Sequence, residues 1–187
     1  ENKLGIKIYL EIGKKVYVRD FTITGNKNFE TDKLLKSIKL EKDKFFSYDG
    51  LMDSIRGITD IYAEEGYIET RVEPMQKFLS DTEVVFEFQI TEGNKIYIED
   101  IIITGNYKTR RKVISREIIV KPGEVLNSKK VDLSRRNLVM LNYFEKVDVR
   151  ILEGKNAVNK ILEFVVEEGR TGTLSFGAGY SSIDKFV

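Results

Sequence analysis

Hydrophobic positions along this chain change period in a fixed order, and then the whole order repeats. From Val16 to Thr24 the run VYVRDFTIT is β-rich and alternating, and Gly25-Asn26 stops it. Next, FETDKLLKSIKL sets Leu34, Leu35 and Ile38 at helical spacing, with Thr31 placed to cap the start. A second helical pattern follows in SYDGLMDSIRGITDIYAEEGY, where Leu51, Ile55, Ile58 and Tyr62 recur every three or four residues. Gly66 suits the left-handed residue that ends such a helix. Two strands are then expected, Tyr67–Lys77 and Thr82–Thr91, joined by a polar turn at Leu79-Ser80-Asp81.

The order restarts eighty residues after its first strand. IYIEDIIITGN (Ile96–Asn106) matches VYVRDFTITGN (Val16–Asn26) at six of eleven positions, and both Val/Ile exchanges keep a β-branched shape. A helix is expected within 109–118, a loop at Lys121-Pro122-Gly123, and a second helix near 128–141. Strands follow near 145–152 and 158–167. EIGKKVYV aligns with TEGNKIYI at the same offset, and VVEEGRT (Val165–Thr171) closes the second copy. The pattern predicts an α+β fold of tandem β-α-α-β-β modules, each a three-stranded sheet with two helices over its apolar face. The modules span 16–93 and 94–169. Residues 1–15 read as the last strand of a preceding module, so the chain is expected to be cut from a longer array. A module of about 75 residues is marginal alone, so neighbours should support one another.

Composition narrows the chemistry. The chain holds no Cys and no His, which excludes disulfides, Cys/His zinc sites and His- or Cys-based triads. No carboxylate pair stands out, so no enzyme, metal or cofactor is expected. Net charge is +1, but it is unevenly spread. Residues 16–93 carry 10 Lys/Arg against 16 Asp/Glu, and 96–169 carry 14 against 11. The halves therefore face different surroundings. No stretch approaches the ~20 apolar residues of a membrane helix.

IYAEEGYIETRV (Ile61–Val72) and LVMLNYFEKVDV (Leu138–Val149) share a helix end, then Gly or Asn, then Tyr, then a strand opening. With ITGN and the closing EG, they resemble the POTRA module, a periplasmic repeat of outer-membrane assembly proteins. The resemblance runs from Leu4 to Gly169. Beyond it, RTGTLSFGAGYSSIDKFV (Arg170–Val187) alternates Leu174, Phe176, Ala178 and Tyr180 with small or polar residues, as a barrel strand between lipid and lumen does. That stretch is similar to the first barrel strand of the BamA family. The resemblance implies the last two modules before an outer-membrane barrel, located in the periplasm. It also implies unfolded outer-membrane proteins and accessory lipoproteins as partners. The Val120–Leu126 loop is a candidate lipoprotein surface. A TamA-like or two-partner secretion transporter is the alternative with the same fold. A division protein with one module fits the tandem units less well.

In such modules the resemblance implies a mixed sheet of strand order first-third-second, leaving the second strand at an edge. Edge strands present unpaired N–H and C=O groups, to which an extended peptide can add. Pro74 agrees with an edge, since proline lacks the donor a central strand needs. Ile68, Thr70 and Vаl72 share its parity and are candidates for outward amides. In the second module the candidates are Val147, Val149 and Ile151, in a strand without proline. Tyr62, Tyr67, Tyr143 and Phe144 are expected to pack in the core and at the corner from helix to strand rather than to stack on a ligand.

Arg110, Arg111, Arg116, Lys129, Lys130, Arg135 and Arg136 form the candidate surface for anionic headgroups or an acidic partner, beside the plainer reading of a solvated helix face. A nucleic-acid role is not expected. The KH-like order of elements lacks the G-x-x-G loop that clamps RNA, and the glycine of ITGN is not followed by the glycines of a phosphate loop.

Overall fold

The computed structural model describes residues 13–169, together with Lys7. The expected strand within 1–15 lies mostly, and the expected barrel strand within 170–187 wholly, outside the described residues. Ten elements follow in order. They are β1 (Tyr17–Thr24), α1 (Thr31–Leu35), α2 (Tyr48–Glu64), β2 (Arg71–Ser80), β3 (Glu83–Thr91), β4 (Tyr97–Thr104), α3 (Arg111–Glu117), α4 (Ser128–Met140), β5 (Phe144–Glu153) and β6 (Asn159–Glu168).

They build two three-stranded mixed sheets, β1-β3-β2 and β4-β6-β5, as the resemblance implied. In each, the last strand is central, parallel to the first and antiparallel to the second. Val84, Phe86, Phe88 and Ile90 of β3 face a core closed by Leu34, Leu51, Ile58 and Tyr62. Leu162, Phe164 and Val166 of β6 do the same against Ile114 and Leu138.

Two repeated motifs acquire physical reasons here. The glycine of each ITGN sits at positive φ, where a side chain is strained. A Cβ on Gly25 would also stand 2.2 Å from the Ile90 carbonyl oxygen, and one on Gly105 1.9 Å from that of Val166. The crossover passes over the central strand too closely for any other residue. The closing EG supplies the tie. Glu92, 8% exposed, accepts from the Lys27 and Asn28 amides at 2.7 and 2.8 Å and from the buried Tyr62 hydroxyl at 2.8 Å. Glu168 accepts from the Lys108 and Thr109 amides in the same place. Burial alone would raise the Glu92 carboxyl. The Asn28 and Lys27 amides and the Tyr62 hydroxyl outweigh it and hold the carboxyl below its ordinary value.

Three expectations need correction. Thr31 is the first residue of α1 rather than its cap, since Glu30 holds the cap position with extended backbone. Ser47 and Asn127 do cap α2 and α4, accepting from Gly50 and Lys130 amides. The second strand begins at Arg71, not Tyr67, because 67–70 is a turn. The Tyr67 amide donates to Tyr62 O and the Thr70 amide to Tyr67 O. The hairpin turn shifts accordingly to Asp81-Thr82.

Candidate functional site

Each sheet has two edges, and the fold treats them differently. The β1 edge is occupied at its start by the module's own loop between the helices. The Val18 amide donates to Lys44 O, and the Asp43 and Phe46 amides donate to Val18 O and Val16 O. In the second module Ile98 donates to Glu124 O, and Gly123 and Leu126 donate back to Ile98 O and Ile96 O. Among the described residues no segment pairs with the outer side of β2 or β5.

The direction of the amides follows from one bond. Tyr97 donates to the Val158 carbonyl, so Val158 and the even-numbered residues of β6 turn their N–H and C=O groups toward β4. The odd residues of β6 serve β5. Val147, Val149 and Ile151 stand opposite Val166, Phe164 and Leu162. Their N–H and C=O groups therefore face outward. In the first module Tyr17 donates to Thr82 O, and the same parity turns Val72, Pro74, Gln76 and Phe78 outward. Pro74 sits where it costs the ladder nothing, but it removes the donor in the middle of that edge.

The candidate residues thus divide. Val72, Val147, Val149 and Ile151 lie on strand edges. Ile68 and Thr70 precede β2 and leave the edge altogether. Thr70 is buried, and its hydroxyl bridges Tyr67 O and Glu92 O at 2.8 Å each. Ile68 packs against the core of the second module. Tyr62 and Tyr67 make an edge-to-face cluster with Phe29, and Tyr143 meets Phe144 edge-on.

The seven candidate cations differ in what they meet. Arg135 and Arg136 both pair with Asp132 on their own helix, at 3.0 and 3.1 Å. Arg116 pairs with Glu117. Arg111 turns back to the Ile101 carbonyl. Lys129 reaches Glu64 of the first module at 3.2 Å. Lys130 gives its backbone amide to the α4 cap and is exposed. Arg110 lines a shallow cleft with Lys108, Arg116, Tyr143 and Gly169. In the Val120–Leu126 loop, Val120 and Leu126 are buried and the backbone from Gly123 pairs with β4, so Lys121 and Pro122 form its free tip.

A joint between the modules gave no sequence signal. Asn127 caps α4 with its side-chain oxygen and donates from its side-chain nitrogen to Glu64 O, the last carbonyl of α2, at 2.5 Å. The Ile96 amide donates to Gly66 O. Gly66 ends α2 at positive φ, as expected, and a Cβ there would meet Val125 at 2.4 Å. Lys160, 7% exposed, pairs with Glu153 at 2.7 Å and lies 4.0 Å from Glu69.

Comparison with known proteins fits this geometry. The family model described as "POTRA: Surface antigen variable number repeat" matches residues 16–93 and again 96–169. A "Putative outer membrane protein assembly factor" of Treponema pallidum is 31% identical over 165 residues, covering 87% of this chain and 20% of that protein. "Outer membrane protein assembly factor BamA" of Buchnera aphidicola is 30% identical over 186 residues, 96% of this chain and 30% of that one. The chain thus spans less than a third of these relatives. The crystal structure of Haemophilus influenzae BamA POTRA3-5 superposes with a TM-score of 0.75 at 20% identity, over 82% of this chain and 61% of that chain, and shares the fold.

Proposed function

The chain belongs to the POTRA family, and from that membership we propose that it forms part of the periplasmic region of a BamA-like outer-membrane protein assembly factor. In this reading 16–93 and 94–169 are successive modules. Residues 1–15 close a module before them, and 170–187 lead into the first strand of the barrel that seats the protein in the outer membrane. The modules act as a scaffold and chaperone rather than an enzyme. Their partners are unfolded outer-membrane proteins and accessory assembly lipoproteins.

The free edge of β5 carries this reading. An unfolded barrel protein is rich in short segments that take strand conformation, and such a segment can add to an open edge. Val147, Val149 and Ile151 each offer one donor and one acceptor, and each bond formed contributes about 0.5–1.5 kcal/mol net. That total is weak enough for release and sufficient to hold an extended chain. On β2, strand addition is interrupted at Pro74.

The experiment is photocrosslinking in the full-length protein, with the reactive residue at Ile151. Unfolded outer-membrane clients should crosslink there, and Val149→Pro should reduce the yield about tenfold, because it deletes the central donor. Absence of client crosslinks along β5 in the native protein would end this assignment.

A further inference from the structure

The loop after the first strand has the same geometry in both modules and opposite chemistry. In the first module it reads Asn26-Lys27-Asn28-Phe29-Glu30-Thr31-Asp32. There Phe29 packs against Tyr62 and Tyr67, and the start of α1 is acidic. In the second it reads Asn106-Tyr107-Lys108-Thr109-Arg110-Arg111-Lys112. Arg110 holds the cap position of α3, and Arg111 and Lys112 open its first turn, which has no acidic residue. Cations at the start of a helix oppose the positive end of its dipole. Local stability therefore gives no reason for Arg110 and Lys112.

Pairing gives no reason either. Among the described residues no ion pair involves Lys108, Arg110 or Lys112, while Arg116 and the α4 arginines are paired. Beside these charges Tyr107 is 94% exposed, its ring almost free of its own chain. Tyrosine suits a boundary where one end of the ring is apolar and the other wet. Lys108 and Arg110 share their cleft with Tyr143, with Glu168, whose carboxylate is held by the Lys108 and Thr109 amides, and with Gly169, after which the sequence alternates Leu174, Phe176, Ala178 and Tyr180.

We propose that Tyr107, Lys108, Arg110 and Lys112 form a docking surface for the phosphate headgroups of an anionic lipid bilayer. The phosphates neutralise the three cations, and the Tyr107 ring enters the interfacial layer. Arg111, turned toward Ile101 O, has no part in it. The inference rests on the proposed function for its placement of the second module beside a membrane.

Flotation of the 187-residue chain with vesicles tests it. The native chain should float with phosphatidylglycerol-containing vesicles, weakly with pure phosphatidylcholine ones, and release as salt rises. Lys108→Gln, Arg110→Gln and Lys112→Gln together should lower partitioning onto anionic vesicles about a hundredfold, near fivefold for each cation. A charge-matched variant with Lys36, Lys39 and Lys77, three exposed lysines of the first module, changed to Gln should bind as the native chain does. Circular dichroism checks that both variants fold. Equal binding by native and triple variant, or equal loss in the matched variant, overturns the proposal. So does a native chain that ignores anionic vesicles but binds polyglutamate, which would assign the patch to an acidic polypeptide. Failure here with β5 crosslinking intact removes this inference and leaves the proposed function standing.

Discussion

Changing Glu92 to alanine strips the acceptor from four hydrogen bonds, donated by the Lys27 and Asn28 amides, the Asn28 side chain and the Tyr62 hydroxyl. The donors differ in what replaces the carboxylate. The two amides lie in a partly buried loop that water reaches, so each loses about 0.5–1 kcal/mol, while the side chain of exposed Asn28 turns to water at little cost. Tyr62 is fully buried, and its orphaned hydroxyl costs about 1–3 kcal/mol. The sum is roughly 2–5 kcal/mol, a large part of the stability of a small module. Tyr62→Phe alone removes one charge-assisted bond, about 1.5 kcal/mol. Made together with Glu92→Ala, it should cost nothing further, because it deletes the orphan. Urea unfolding followed by far-UV circular dichroism reads all four proteins of this cycle, the chain having no Trp to report by fluorescence. Additivity of the two changes within about 0.5 kcal/mol refutes the clamp. The same group sets a pH signature. Its folded carboxyl lies below the ordinary value near ~4.3, so the native state binds fewer protons there than the unfolded state. The stability it confers is complete above that unfolded value and is lost as pH falls through the folded one. Glu92→Gln should flatten this loss.

Two further outcomes are expected. Gly105→Ala should destabilise the second module by about 3 kcal/mol or more, from the left-handed backbone and the Val166 carbonyl together. Gly123→Ala has the same sign of φ and open space, so it should cost only about 1–2 kcal/mol. Equal urea midpoints would dismiss the close approach. Asn127→Ser should keep the cap of α4, which serine serves about as well, and lose the donor to Glu64 O. Small-angle scattering should then report a wider spread of module orientations with unchanged unfolding of the second module. An unchanged scattering curve would show that the bridge does not hold the joint.

The fold was readable because the chain repeats. VYVRDFTITGN and IYIEDIIITGN fixed the register of one module against the other, so weak local signals in each copy reinforced the same assignment. The start of β2 was missed because Tyr67–Thr70 has strand-like composition, while the Thr70 hydroxyl and the Tyr67 amide hold a turn that needs Glu92 and Tyr62 in place. The joint was missed for a related reason. Asn127 looks like any helix cap, and its second bond goes to a carbonyl sixty-three residues away. Parity along β2 was legible from Pro74, whereas the outward amides of β5 follow only from the pairing of β6 with β4 and β5. The partners of the cations were not legible, because sequence shows a charge and hides what it meets. Asp132 is one residue that absorbs two arginines.

The proline in β2 has a consequence for counting. With the edges of β1 and β4 taken at their starts by the modules' own loops, and β2 broken at its middle, this pair of modules presents one uninterrupted free strand edge among the described residues. Under the proposed function, a strand laid along β5 fills that line, so the pair would hold one uninterrupted extended segment at a time, and a chain with several such segments would be served in sequence rather than all at once.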